Sequence, residues 1–155
     1  MNKTNKLAIP IDDGKCDHLF NMTLPQLSLL STSNNTIDLS KLEGLTVFYF
    51  YPRMGRPDIE TPAGWGDIPG ASGCTPQTCS FKDQHEDFSR LEVDVYGVST
   101  QASSYQKEAV DRLSLPFDIL SDEDLNLTEM LNLPTFEVEG VVLNKRVTLI
   151  CQDTK

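Results

Sequence analysis

Four cysteines stand at positions 16, 74, 79 and 151. Two of them lie five residues apart in Gly73-Cys74-Thr75-Pro76-Gln77-Thr78-Cys79. The segment opens a helical pattern: Pro76 suits a first turn, and Phe81, His85, Phe88 and Leu91 recur at spacings of four, three and three. A cysteine in the first turn of a helix meets unpaired backbone N–H groups and the positive end of the dipole. Both favour the thiolate, the nucleophilic form of the side chain. Two buried structural cysteines on one helix is the competing reading. Cys74 falls at the loop–helix junction and off the apolar stripe, which favours chemistry. Positions five apart on a helix are about 140° around the axis and about 8.6 Å apart at Cα. A disulfide needs less than about 7 Å. Bonding Cys74 to Cys79 therefore requires the first turn or two to unwind, and redox-coupled local unfolding is expected.

Other chemistry-bearing residues are weaker candidates. Cys16 and His18 lie two apart in a polar arm, and the Cys74/Cys79 spacing does not suit zinc, so neither metal nor cofactor is expected. Asp122-Glu123-Asp124-Leu125-Asn126 imitates the start of a calcium loop, but Leu127 stands where glycine is required and Leu133 where glutamate is required. The glycines at 64, 66, 70 and 73 form no phosphate-cradling pattern. His85 reads as a packing residue on its helix, Cys151 as a structural thiol in a strand, and Arg53 as a surface cation.

The elements that must position the thiols can be read from pattern. Leu27 to Leu30 and Thr36 to Leu39 flank Ser31-Thr32-Ser33-Asn34-Asn35 as strand, turn and strand. Thr46 to Tyr51 carries no charge and is dense in aromatic and β-branched residues, as in a central parallel strand. Residues 52–73 hold four prolines and five glycines, which no regular element tolerates. Trp65, Ile59 and Ile68 favour an insert that packs back onto the domain. Val93 to Ser99 is a second buried-type strand. An amphipathic helix runs from Ser103 to Leu113, with Tyr105, Ala109, Val110 and Leu113 on one stripe. Phe117 to Leu120 is a short strand, and Ser121 to Asp124 cap a helix reaching about Leu131. Phe136 to Val138, Glu139-Gly140 and Val141 to Cys151 read as an antiparallel hairpin. The order implies an α/β sheet with helices on its faces. All 155 residues fit one domain, with residues 1–24 as a loose arm.

The chain carries 13 basic and 23 acidic residues, a net charge of -10. That balance argues against nucleic acid or an anionic membrane as partner, since both need a basic footprint. The longest strongly apolar run, Val47 to Tyr51, is far short of a membrane span. Met1 to Ala8 lacks the apolar stretch of a secretory signal, so a cytoplasmic location is expected.

Four ordered segments resemble the peroxiredoxins, most closely the bacterioferritin-comigratory or Q branch. They are Phe48-Tyr49-Phe50-Tyr51-Pro52, Gly73 to Cys79, Gly97-Val98-Ser99-Thr100 and Leu120 to Asp124. The resemblance runs from about Met22 to the last residue. It implies a thioredoxin-like fold and reduction of hydroperoxides by a thiol, with a thioredoxin-like protein as reductant and a monomer or homodimer as the working unit. By position, Cys74 is similar to the peroxidatic cysteine, whose thiolate attacks the O–O bond and becomes a sulfenic acid. Cys79 is similar to the resolving cysteine. Arg146 stands where the family places the arginine that supports thiolate and peroxide. Pro52, Ser72, Gly73 and Thr75 are the positions implied to shape the substrate pocket.

The chain departs from the family pattern in two places. Asp67 and Ala71 replace the proline and threonine seven and three residues before the cysteine. Ala71 has no hydroxyl to hold a peroxide, and Ser72 is the adjacent substitute. The family fold also continues after the Arg146 strand with a further strand and helix, so an uncovered apolar sheet edge and face are expected here. Three functions are implied: a thiol peroxidase, a thiol–disulfide oxidoreductase or redox sensor with weak peroxidase activity, and a degenerate thioredoxin-fold interaction protein.

Overall fold

The computed structural model describes residues 7–155. Its strands are β1 (Ser28–Ser31), β2 (Thr36–Asp38), β3 (Leu45–Phe50), β4 (Val93–Ser99), β5 (Ile119–Ser121), β6 (Thr135–Val138), β7 (Val141–Asn144) and β8 (Val147–Gln152). Its helices are α1 (Cys74–Asp83), α2 (His85–Arg90), α3 (Ser103–Leu113) and α4 (Asn126–Met130). The architecture is α/β and thioredoxin-like. A six-stranded mixed sheet runs in the order β2-β1-β5-β4-β3-β8, and β6 and β7 form a separate hairpin. β4 lies parallel to both β3 and β5, while β8 runs antiparallel to β3.

β3 sits between β4 and β8, and its period-two alternation feeds two cores. Val47 and Tyr49, with Tyr51 beyond the strand, face α1, α2 and α3 and meet Cys74, Val95, Ala109 and Ile119. Phe48 and Phe50 face the other way, toward Leu24, Leu127, Leu131 and Cys151. Tyr49 lies opposite Gly97 on β4. A Cβ at that position would come within 2.7 Å of the Tyr49 hydroxyl, so only glycine lets the ring lie there. The ring stacks on Phe81 at 4.4 Å and its hydroxyl donates to Thr78 Oγ1 at 3.2 Å. This seats α1, and with it Cys74, on the sheet.

Four expectations need correction. The run from Val141 to Cys151 is not one strand. It breaks at Lys145-Arg146, and β8 leaves the hairpin to pair with β3 along its whole length. The helix after Cys74 divides at Gln84, and Leu91 caps α2 with 70% exposure instead of joining the apolar stripe. On α3 the apolar stripe packs inward as expected, with Ala109 buried and Val110 and Leu113 against the core, but Gln106, which lies off that stripe, is fully buried as well. The Gln106 amide NH2 donates to Ser99 Oγ at 2.8 Å and to the Leu120 carbonyl at 2.9 Å, which satisfies its donor side, while its Oε1 finds no partner among the described residues.

The fourth concerns the arm. Residues 1–6 lie outside the described residues, but the stretch from His18 to Leu24 is tied down. Leu24 is buried in the core, with Leu19 and Met22 packed against it. The Leu24 N–H donates to the Thr154 carbonyl at 2.7 Å, and His18 Nε2 donates to the Leu131 carbonyl at 2.8 Å. These apolar residues follow no period, yet the β8 face offers them burial. That face still holds a cavity of about 620 Å³ between Phe20, Met22, Leu149 and Cys151, and Ile150 is 72% exposed.

Candidate active site around Cys74

Cys74 is the first residue of α1, at the carboxyl ends of the parallel strands, where open α/β sheets place their ligands. Gly73 precedes it with φ +103°, a backbone conformation that favours glycine and turns the chain into the helix. No side chain caps this helix end. The first N–H groups therefore stay free for a ligand. The Cys74 side chain is buried at 3% exposure. Its thiol donates to the Ala71 carbonyl at 3.5 Å, and Arg146 Nη2 donates to its sulfur at 3.2 Å.

Arg146 reaches the thiol because β7 and β8 part at Lys145-Arg146. Its guanidinium donates to the Gly70 carbonyl from Nε (3.2 Å) and Nη2 (3.0 Å), and to the Ser72 carbonyl at 3.1 Å. Nη1 donates to Gln77 Oε1, one turn along α1. Among the described residues no carboxylate pairs with this guanidinium; its other partners are neutral oxygens. The arrangement clamps the loop before Cys74 and fixes a cation against the sulfur.

A cavity of about 120 Å³ opens over Cys74. Gly73 and Thr75 line it, whereas Pro52 and Ser72 do not. Pro52 is buried beside it, and Ser72 contributes its carbonyl to Arg146. Arg53, Thr61 and Trp65 complete the wall from the insert. Arg53 therefore does not stand apart on the surface as its sequence context suggested; its position directly after β3, at the carboxyl edge of the sheet, was the available signal. Thr61 and Gln77 carried no signal in sequence. The insert keeps its place because Trp65 packs with Ile68, Ala71, Phe136 and Leu143. The Met54 carbonyl also accepts from Tyr105 Oη at 3.0 Å, and the Gly55 carbonyl from Arg112 at 3.0 Å. Apart from one 3-10 turn at Trp65–Asp67 it forms no regular element.

All four cysteines are free. Cys79 is half-buried on α1. Burial pushes the Cys151 thiol above its ordinary value, and burial followed by Asp13, Asp12 and Asp17 does the same to Cys16. Both are poorer nucleophiles for it. Below the site, burial raises the Tyr49 and Tyr51 hydroxyls well above the usual tyrosine range.

Among known proteins, the chain is 32% identical over 114 residues to the chloroplastic peroxiredoxin Q of Sedum lineare, covering 73% of this chain and 53% of that one. It is 30% identical over 110 residues to peroxiredoxin Bcp of Bacillus subtilis (strain 168), covering 70% of this chain and 60% of the relative. The chain thus matches just over half the length of these curated relatives. Its fold is similar to the crystal structure of peroxidoxin BcpB from Mycobacterium tuberculosis, with a TM-score of 0.68 at 22% identity, over 86% of this chain and 79% of that one. The Redoxin family model matches residues 20–155, which takes in every strand and both sides of the thiol site. The chain therefore belongs to the redoxin family, on its peroxiredoxin Q and Bcp branch.

Proposed function

We propose that this chain is a thiol-dependent peroxidase in which Cys74 attacks and Cys79 resolves. The observation that carries the reading is the contact of Arg146 Nη2 with Cys74 Sγ at 3.2 Å, beside a small cavity that Cys74 itself lines. The Cys74 thiolate attacks the terminal oxygen of a hydroperoxide. An S–O bond forms, the O–O bond breaks, sulfur loses two electrons, and alkoxide or hydroxide leaves and takes a proton from water. The Cys79 thiol then displaces water from the sulfenic acid and a disulfide forms. A thioredoxin-like dithiol returns both cysteines to thiols. The test is stoichiometric hydrogen peroxide on reduced protein, with the cysteine products mapped by mass spectrometry. A Cys74-Cys79 disulfide within seconds, lost in Cys74→Ser, is expected. Peroxide consumption at the parental rate by Cys74→Ser sinks the proposal.

A second reading, a thiol–disulfide oxidoreductase with weak peroxidase activity, rests on Ala71. It is fully buried and lines the cavity without offering a hydroxyl. It expects the same disulfide from a dithiol–disulfide exchange, with peroxide consumed slowly.

A further inference from the structure

The cavity over Cys74 has one charged group in its wall, and that group is Arg53. The Arg53 guanidinium reaches the Glu60 carbonyl from Nη2 at 3.5 Å, a long contact beside Thr61, which also lines the cavity. Among the described residues Arg53 pairs with no carboxylate, whereas Arg56, Arg90 and Arg112 each hold one within 2.9 Å. Arg146 also lacks a carboxylate, but its guanidinium is occupied by the Gly70 and Ser72 carbonyls, Gln77 and Cys74, whereas Arg53 has only the long Glu60 contact among the described residues. Arg53 also belongs to a second cavity, of about 200 Å³, whose walls include Ile59, Val138, Val141 and Leu143. Glu60 and Glu139 line this second space, so negative charge carried deep into it would be repelled. Arg53 is the residue common to a reactive thiol on one side and a mainly apolar recess on the other.

We propose that Arg53 is a specificity-determining residue that selects hydroperoxides carrying a carboxylate within a few bonds of the peroxide group. The proposal rests on the reading of Cys74 as the peroxide-reactive thiol. The peroxide oxygen meets Cys74, the carboxylate accepts from the Arg53 guanidinium, and the hydrocarbon lies toward Ile59, Val138 and Leu143. The step itself is the one given above: the thiolate takes the terminal oxygen as Cys74 sulfenic acid and the remainder leaves as a hydroxy acid. A dithiol such as dithiothreitol supplies the two electrons that close the cycle. A guanidinium–carboxylate contact is planar and two-pronged, so it orients as well as attracts. Because the chain as a whole is acidic, attraction must be local, and it is screened over about 8 Å at physiological salt.

The test compares one tertiary hydroperoxide, 4-hydroperoxy-4-methylpentanoate, with its methyl ester, in the presence of dithiothreitol. The quantity read is the ratio of kcat/KM for acid over ester. In the parent protein the ratio should exceed about fivefold at low salt and shrink in concentrated sodium chloride. Arg53→Gln should bring it to about one, and Arg53→Lys, which keeps the charge but loses the fork, should leave it in between. A parent ratio near one with both peroxides consumed overturns the proposal. So does a ratio that Arg53→Gln leaves unchanged, which would assign the selection to Arg146. If the parent consumes neither peroxide and Cys74 stays unoxidised, the peroxidase reading falls together with this one.

Discussion

Arg146 holds its neighbourhood together and faces the sulfur with the same guanidinium. Its fork occupies the Gly70 and Ser72 carbonyls and the Gln77 side chain while Nη2 meets Cys74. Lysine carries the charge but cannot reproduce that geometry. Arg146→Lys should therefore lower kcat/KM for hydrogen peroxide by about a hundredfold, the scale on which a preorganised donor is lost. Steady-state turnover with dithiothreitol checks this, and a rate within twofold of the parent would contradict it. The place of Cys74 at the start of α1 was legible in sequence because a cysteine at a loop–helix junction is a local pattern. Arg53 was not, because its role depends on the insert placing Thr61 and Trp65 opposite it, some ten residues away along an irregular path.

At the scale of the element, α1 seats the Cys74 thiol and would stand in the way of the proposed bond to Cys79. Its first turn closes with the Gln77 N–H donating to the Gly73 carbonyl at 3.0 Å. Thr78, on the buried side, accepts from Tyr49. A Cys74-Cys79 bond must break this turn, since the native spacing exceeds what a disulfide spans. Oxidation should therefore lower the far-UV helical signal, and dithiothreitol should restore it. Cys79→Ser should show no such change on stoichiometric peroxide. An oxidised parent with an unaltered spectrum and a proven Cys74-Cys79 bond would refute the unwinding. α4 shows the opposite balance. Asp122 is buried and accepts from the Leu127 and Thr128 N–H groups at 2.9 and 2.8 Å, so an element of five residues is pinned at its start. The acidic run before that helix announced the cap; its burial came only from packing.

Over the whole molecule, the two cores meet at β3, and the aromatic run of that strand sets how the chain responds to alkali. Burial raises Tyr49 and Tyr51 above the ordinary tyrosine value of about 10. Above that pH the unfolded chain loses these protons while the native state keeps them. The unfolded state then binds fewer protons, and stability falls as pH rises. The stabilisation is complete below about pH 10 and drains away above it. Tyrosine ionisation followed at about 295 nm should rise together with loss of the circular dichroism signal. Titration of all tyrosines near pH 10 with the spectrum intact would count against this.

Strand and helix content, the order of elements and the place of Cys74 at a helix start were written locally, in Val47 to Tyr51, in Pro76 and in the three- and four-residue spacings of α3. Such features depend on neighbours within a turn or two, which a linear reading captures. The fate of Arg146, the burial of Leu24 and the place of Arg53 depend on groups brought together from distant parts of the chain. β8 parts from β7 and pairs with β3 over all its residues, which lays Val147, Leu149 and Cys151 against the core. That choice carries Arg146 to Cys74, some seventy residues away in sequence, and no spacing along the chain encodes it.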